Sequence, residues 1–176
     1  AHEQADIARA LGLAREDLDE SLPIQVISTG VGILAVPIRS LAELGHCRVN
    51  QAMLGDIYEA AGAIGCYAFT RETIEIGDAR AHARFFIADN IGEDPATGGA
   101  AGPLGAYLVH HGASGVDSVD GVYPFVIEQG DFINRPSRIG LEVKGEPGNV
   151  ERVRVGGTSV VVARGQLEFW VQNRER

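Results

Sequence analysis

Residues 97–112 constrain the fold of this chain more than any other stretch. From Thr97 to Gly112 there is no charged side chain apart from whatever charge His110 and His111 carry. Leu104, Leu108 and Val109 are apolar, and Gly98, Gly102 and Gly105 are bare backbone at three- and four-residue spacing. A helix without a polar face must be covered on all sides. It is shorter than the roughly 20 residues a bilayer span needs, so protein has to cover it. Glycines on its surface let neighbouring strands come close, although each costs about 1 kcal/mol of helix propensity relative to Ala. Pro103 fits only if the regular helix begins near Gly99–Gly102, which would place its missing N–H in the first turn.

The flanking sequence supplies the cover. Apolar runs at 24–27 and 33–38, the aromatic run Gly65 to Thr70, and segments at 79–88, 123–128 and 139–143 read as strands. On 79–88, Arg80, His82 and Arg84 alternate with Ala81, Ala83 and Phe85. That period of two predicts a solvated face, with a carboxylate clamp as the functional alternative. A Pro147-Gly148-Asn149 turn follows. Val150 to Val155 is then expected to meet Thr158 to Ala163 across Gly156-Gly157, with a last strand at Leu167 to Val171. Helices are expected at 3–12, 41–44 and 51–61, the first within a helical lead-in over residues 1–22. The expected fold is α+β: a mixed, mostly antiparallel sheet rolled around a central helix, forming a single domain over 1–176.

Composition narrows the partners. The chain has 15 basic and 24 acidic residues, a net charge of −9. No basic surplus exists to displace counterions, which argues against nucleic acid and against an anionic membrane surface. Cys47 and Cys66 match no CxxC pattern and are expected to be buried free thiols of a cytoplasmic protein. The five histidines form no HExxH-like array, so no metal site is expected. Met53 is the only methionine and the chain begins Ala1-His2-Glu3. A segment upstream is therefore expected.

Gly92-Glu93-Asp94-Pro95-Ala96-Thr97-Gly98-Gly99-Ala100 stands at the start of the apolar helix. The first amides of a helix lack partners and carry the positive end of its dipole. With glycine at 98 and 99 no Cβ shields them, so a carboxylate or phosphate has access. No Lys follows as in a phosphate loop, and the residue two after Gly98 is Ala100, so the GxGxxG pattern fails. Two readings stay open on pattern alone. Either Asp94 or Thr97 is a plain N-cap, or the bare tip beside Asp94 is an anion site.

The segment resembles the EDPATGSA signature of the phenazine-biosynthesis PhzF-like family. Ser28-Thr29-Gly30 with Leu34-Ala35-Val36, Arg84-Phe85-Phe86, Gln129-Gly130, Arg135-Pro136-Ser137 and Val155-Gly156-Gly157 resemble further family segments in the same order. The resemblance implies a diaminopimelate epimerase-like fold of two similar domains with the active site between them. It implies an isomerase of biosynthesis that moves a proton on a small carboxylate metabolite without a cofactor. This chain resembles the second domain, with the proton-transferring Glu in an absent N-terminal domain or partner chain. It implies Asp94 as the catalytic residue that contacts the substrate and assists proton transfer, and Gly98, Gly99 and Ala100, with Thr97, as substrate-binding. The family's Ser is Gly99 here, so one hydroxyl is missing. The chain alone is then expected to be inactive and its open face to be covered, as in a homodimer. The other reading is a non-catalytic binding or assembly domain that kept the fold. Arg135 is expected to pair a carboxylate and hold the fold, and His110 and His111 to sit at the helix C-terminus, where a cation suits the dipole.

Overall fold

The computed structural model describes residues 4–87 and 92–168. Its centre is one eight-stranded sheet. The strands are β1 (Gln25–Ser28), β2 (Gly32–Pro37), β3 (Gly65–Thr70), β4 (Ala79–Ile87), β5 (Gly92–Asp94), β6 (Val122–Gln129), β7 (Ser137–Glu146) and β8 (Asn149–Gly156). Their order is β1-β2-β3-β4-β6-β7-β8, with β5 paired to β4 off that path. The β2–β3 and β4–β6 pairs are parallel and the others antiparallel. The helices are α1 (Gln4–Ala10), α2 (Leu41–His46), α3 (Gln51–Ala61) and α4 (Gly98–His110).

The sheet curls around α4, which touches β7 and β8 near one edge and β1 at the other. Ala100, Ala101, Leu104, Leu108 and Val109 of α4 are buried among Ile33, Ala35, Tyr67, Phe69, Ala83, Phe85, Ile127 and Leu141 of the concave face. Side chains of alternate sign along the same strands point the other way. Leu34, Val36, Cys66, Ala68 and Phe86 form a second core with α1, α2 and α3 on the convex face. The molecule thus has three layers, and β2 and β3 are buried on both faces. The lead-in is part of the outer layer: Ile7, Ala8 and Leu11 belong to that second core.

Local chemistry accounts for the outer helices. Asn50 caps α3 by accepting from the Met53 amide at 3.2 Å, and Gly62, at φ 68°, ends it in the left-handed region. Leu54, Ile57 and Tyr58 are its buried stripe. On α4, a Cβ at Gly105 would stand 2.6 Å from Leu141 Cδ1, and one at Gly102 would stand 3.0 Å from Val155 Cγ2. Those two glycines are what let the helix lie against β7 and β8.

The structure corrects four expectations. Residues 157–168 carry no strand, so the hairpin across Gly156-Gly157 does not form. Val160, Val161 and Val162 are exposed. The second arm would bring only valines that no described residue of this chain covers, so pairing it gains little burial. The expected Leu167–Val171 strand has no strand at 167–168, and its remainder lies outside the described residues. The face of β4 is not solvated: His82 is fully buried and Arg84 nearly so, because helices lie over it. Pro103 sits in the second turn of α4 rather than the first. The carbonyl its missing N–H would have met belongs to Gly99, which is exposed and open to water.

Candidate active site at the tip of the central helix

β5 was missed in the sequence, and it decides the site. Its register with β4 pairs Glu93 with Phe86 and Asp94 with Phe85. The two-residue period therefore sends the adjacent carboxylates to opposite faces. Glu93 goes to the convex side, where Arg84 grips it in a fork: Nε donates to Oε1 at 3.0 Å and Nη2 to Oε2 at 2.6 Å. Arg84 Nη1 donates to the Leu44 carbonyl at 3.0 Å, and the guanidinium lies 5.0 Å from the Phe86 ring centroid and 5.3 Å from that of Phe132. The arginine on β4 is thus a clamp for the protein's own carboxylate.

Asp94 goes to the concave side, at the start of α4. The Thr97 hydroxyl donates to Asp94 Oδ2 at 2.5 Å. Thr97 occupies the N-cap position but makes no side-chain cap bond. The N-cap reading therefore fails for its hydroxyl, which serves Asp94. The Thr97 carbonyl accepts from Ala100 and Ala101 at 3.0 and 2.9 Å. Ala100's amide is thereby engaged and its methyl is buried, so Ala100 backs the site rather than lining it. The amides of Gly98 and Gly99 meet no acceptor among the described residues. A Cβ at Gly99 would meet nothing within 4 Å, and one at Gly98 only Val155 at 3.6 Å. The tip is open, with Asp94 beside it.

Residues far along the chain hold this corner. Gln129, at the end of β6, is fully buried. Its Nε2 donates to the Asp94 carbonyl at 2.6 Å and to Thr97 Oγ1 at 3.0 Å. Its Oε1 accepts from the Thr97 amide at 3.2 Å and from the Tyr67 hydroxyl at 2.7 Å. Burial first, and the nearby Asp94 charge second, push the Tyr67 phenol far up, so it stays a donor. The Ser137 hydroxyl donates to the Pro95 carbonyl at 2.9 Å. Gly130 has φ 87°, and a Cβ there would strike the carbonyls of Arg135 and Pro95. The Gln129-Gly130 and Pro136-Ser137 pairs stood out only by resemblance. The missed signal was a Glu128-Gln129 polar pair ending a mostly apolar strand.

Other candidates fall away from the corner. Arg135 pairs with no carboxylate among the described residues; its neighbour Arg138 takes that role, with Asp131 at 3.0 Å and Glu75 at 2.8 Å. His82 Nδ1 lies 2.9 Å from the buried Glu128, which also accepts from the amides of Ile74 and Glu75. His111 follows the last turn of α4, where burial and then its neighbour His110 lower its pKa and disfavour the cation expected there. Cys47 and Cys66 are free and buried, as expected. Among the described residues no three His, Cys, Asp or Glu gather as a metal cluster, and no helix is long and apolar enough to cross a membrane.

The comparisons with known proteins meet this geometry. The family model described as phenazine biosynthesis-like protein, PhzC-PhzF, matches residues 1–165. The chain belongs to that family. It is 36% identical over 162 residues to an uncharacterized isomerase of Clostridium acetobutylicum, covering 92% of this chain and 53% of the relative. It is 30% identical over 164 residues to a trans-2,3-dihydro-3-hydroxyanthranilate isomerase of Pseudomonas fluorescens, covering 93% of this chain and 52% of the relative. Among solved structures, a PhzF-family phenazine biosynthesis protein of Bacillus anthracis superposes with a TM-score of 0.77 at 27% identity, over 90% of this chain and 52% of that one. A predicted epimerase of Pseudomonas aeruginosa gives 0.64 at 36% identity, over 87% and 48%. The family and the rolled α+β fold are as expected. The chain spans about half the length of the curated relatives it matches.

Proposed function

We propose that this domain is the substrate-anchoring half of an isomerase that moves a proton on a small carboxylate metabolite without a cofactor. The observation that carries the reading is the open helix tip: two glycine amides without acceptors among the described residues, at the positive end of α4, beside Asp94. The substrate carboxylate docks on the amides of Gly98 and Gly99. Asp94 orients the adjoining amino or hydroxyl group, or shuttles a proton. A second carboxylate is needed to take the carbon-bound proton and return it. Glu93 is turned to Arg84 and does not serve. We assign that role to a Glu outside these residues, in a domain or partner chain that covers the tip, and the isolated chain is then inactive. The likeness to relatives named isomerases, of which this chain matches only about half the length, supports that division.

The second reading is a binding or assembly domain without turnover. Gly99 favours it, since a hydroxyl at this position is absent and its place is empty. Solvent-deuterium incorporation separates the two. The probes are small amino- and hydroxy-carboxylates, including trans-2,3-dihydro-3-hydroxyanthranilate. The protein is assayed alone and together with the unmatched half of a relative, such as the Pseudomonas fluorescens isomerase, supplied as the covering domain. Incorporation with that domain, lost in Asp94→Asn, supports the isomerase. Incorporation that survives Asp94→Asn removes Asp94 from the mechanism, and binding without incorporation supports the second reading.

A further inference from the structure

The Thr97 amide can only donate, so the Gln129 side-chain atom facing it is Oε1. The Asp94 carbonyl can only accept, so the atom facing it is Nε2. A flipped amide would set donor against donor and acceptor against acceptor, at a residue closed off from bulk solvent. The Tyr67 hydroxyl, held protonated, completes Oε1. One Nε2 proton remains, and it points to Thr97 Oγ1 at 3.0 Å. That oxygen therefore accepts from Gln129. Its own proton is left for Asp94 Oδ2 at 2.5 Å, the acceptor within its reach.

We propose that Gln129 is a positioning residue that fixes the proton direction of the Asp94–Thr97 pair and thereby makes Asp94 an acceptor toward the ligand. The relay runs from Gln129 Nε2 to Thr97 Oγ1, and from the Thr97 hydroxyl to Asp94. Against Asp94 as a carboxylate, whose oxygens only accept, a ligand group set on the remaining oxygen must be a donor, an ammonium or a hydroxyl. A second carboxylate or a carbonyl at that place is rejected, because acceptor meets acceptor. The inference deepens the proposed function, resting on its reading of the helix tip as the substrate site. It narrows the substrate class to anions that carry a hydrogen-bond donor close to the carboxylate.

Neutron diffraction on the perdeuterated chain reads the relay directly. The expected map has two deuterons on Gln129 Nε2 and one on Thr97 Oγ1, lying toward Asp94 Oδ2. A deuteron on either Asp94 carboxylate oxygen, or a reversed amide, overturns the proposal. The deuterium-incorporation assay supplies the second arm, with trans-2,3-dihydro-3-hydroxyanthranilate as probe and the covering domain present. Thr97→Val keeps the backbone bond to Gln129 but removes the relay, and a fall of about tenfold or more is expected. Thr97→Ser restores the hydroxyl and is expected to recover most of the rate. An equal loss in Thr97→Val and Thr97→Ser marks a packing role and sinks the proposal. If the deuterons lie as expected but Asp94→Asn leaves incorporation intact, the site assignment fails while the relay stands. If Asp94→Asn abolishes incorporation but the deuterons run the other way, the site stands and the relay is wrong.

Discussion

Glu93 and Asp94 are neighbours on one short strand, and they have opposite fates. Glu93 is sealed on the convex side, its charge met by the fork of Arg84, whose guanidinium lies against the rings of Phe86 and Phe132. Asp94 is on the concave side, met by a neutral hydroxyl, next to amides without partners among the described residues. A carboxylate answered by a buried cation holds strands together and has nothing left for a ligand. A carboxylate answered by one hydroxyl is fixed in place and keeps an oxygen free. The glycines of α4 divide in the same way. Gly102 and Gly105 are bare so that strands can touch the helix, and Gly99 is bare beside open space.

Breaking the convex lock should have the largest effect. Arg84→Ala leaves Glu93 buried without its partner, and a loss of about 3–5 kcal/mol is expected in denaturant unfolding. Asp94→Asn, by contrast, should leave the midpoint nearly unchanged. Equal losses in the two variants would abolish the contrast between lock and site.

Alkaline pH sharpens the same comparison. Burial pushes the Cys47 thiol, which adjoins the lock, up to about 11, with Arg84 lowering it and Glu93 raising it. A thiol whose folded pKa lies above its unfolded value of 9.0 favours the protonated form. In the unfolded chain it ionises first, so its contribution is complete below pH 9 and disappears as pH approaches 11. Melting temperature should fall over that window, by the equivalent of about 2 kcal/mol from this thiol. Cys47→Ala should flatten part of the slope, with Cys66, raised by burial in the same direction, keeping the rest. An unchanged slope in Cys47→Ala would contradict the account.

The two glycine sets give the smaller effects. Gly105→Ala drives a methyl against Leu141 and Val143, and a net loss of about 1–2 kcal/mol is expected by chemical denaturation. Gly99→Ser meets open space and should gain roughly 0.5 kcal/mol from helix propensity. A loss at Gly99 as large as that at Gly105 would mean that the tip is packed.

Much of this was legible before any coordinates. The uncharged helix demanded a wrapped sheet, and α4 lies within one. The breaks at Gly62 and Pro147-Gly148 are where the pattern put them. The solvated face on β4 was wrong because alternation reports two environments without saying whether the second is water. Helices over the convex face make it protein. The hairpin after Gly156 was wrong because a turn signal forms a turn only where both arms have something to cover.

The sequence by itself determined the family, the central helix and the bare glycines at its tip. Those are local properties of residue type and spacing. Only the tertiary structure decided which of two adjacent acids faces that tip, and that Gln129 holds it. Gln129 lies 32 positions from Thr97 and 62 from Tyr67. Residues so far apart are brought together by strand order and register, which depend on burying both faces of the whole sheet at once, and no short stretch of chain encodes that.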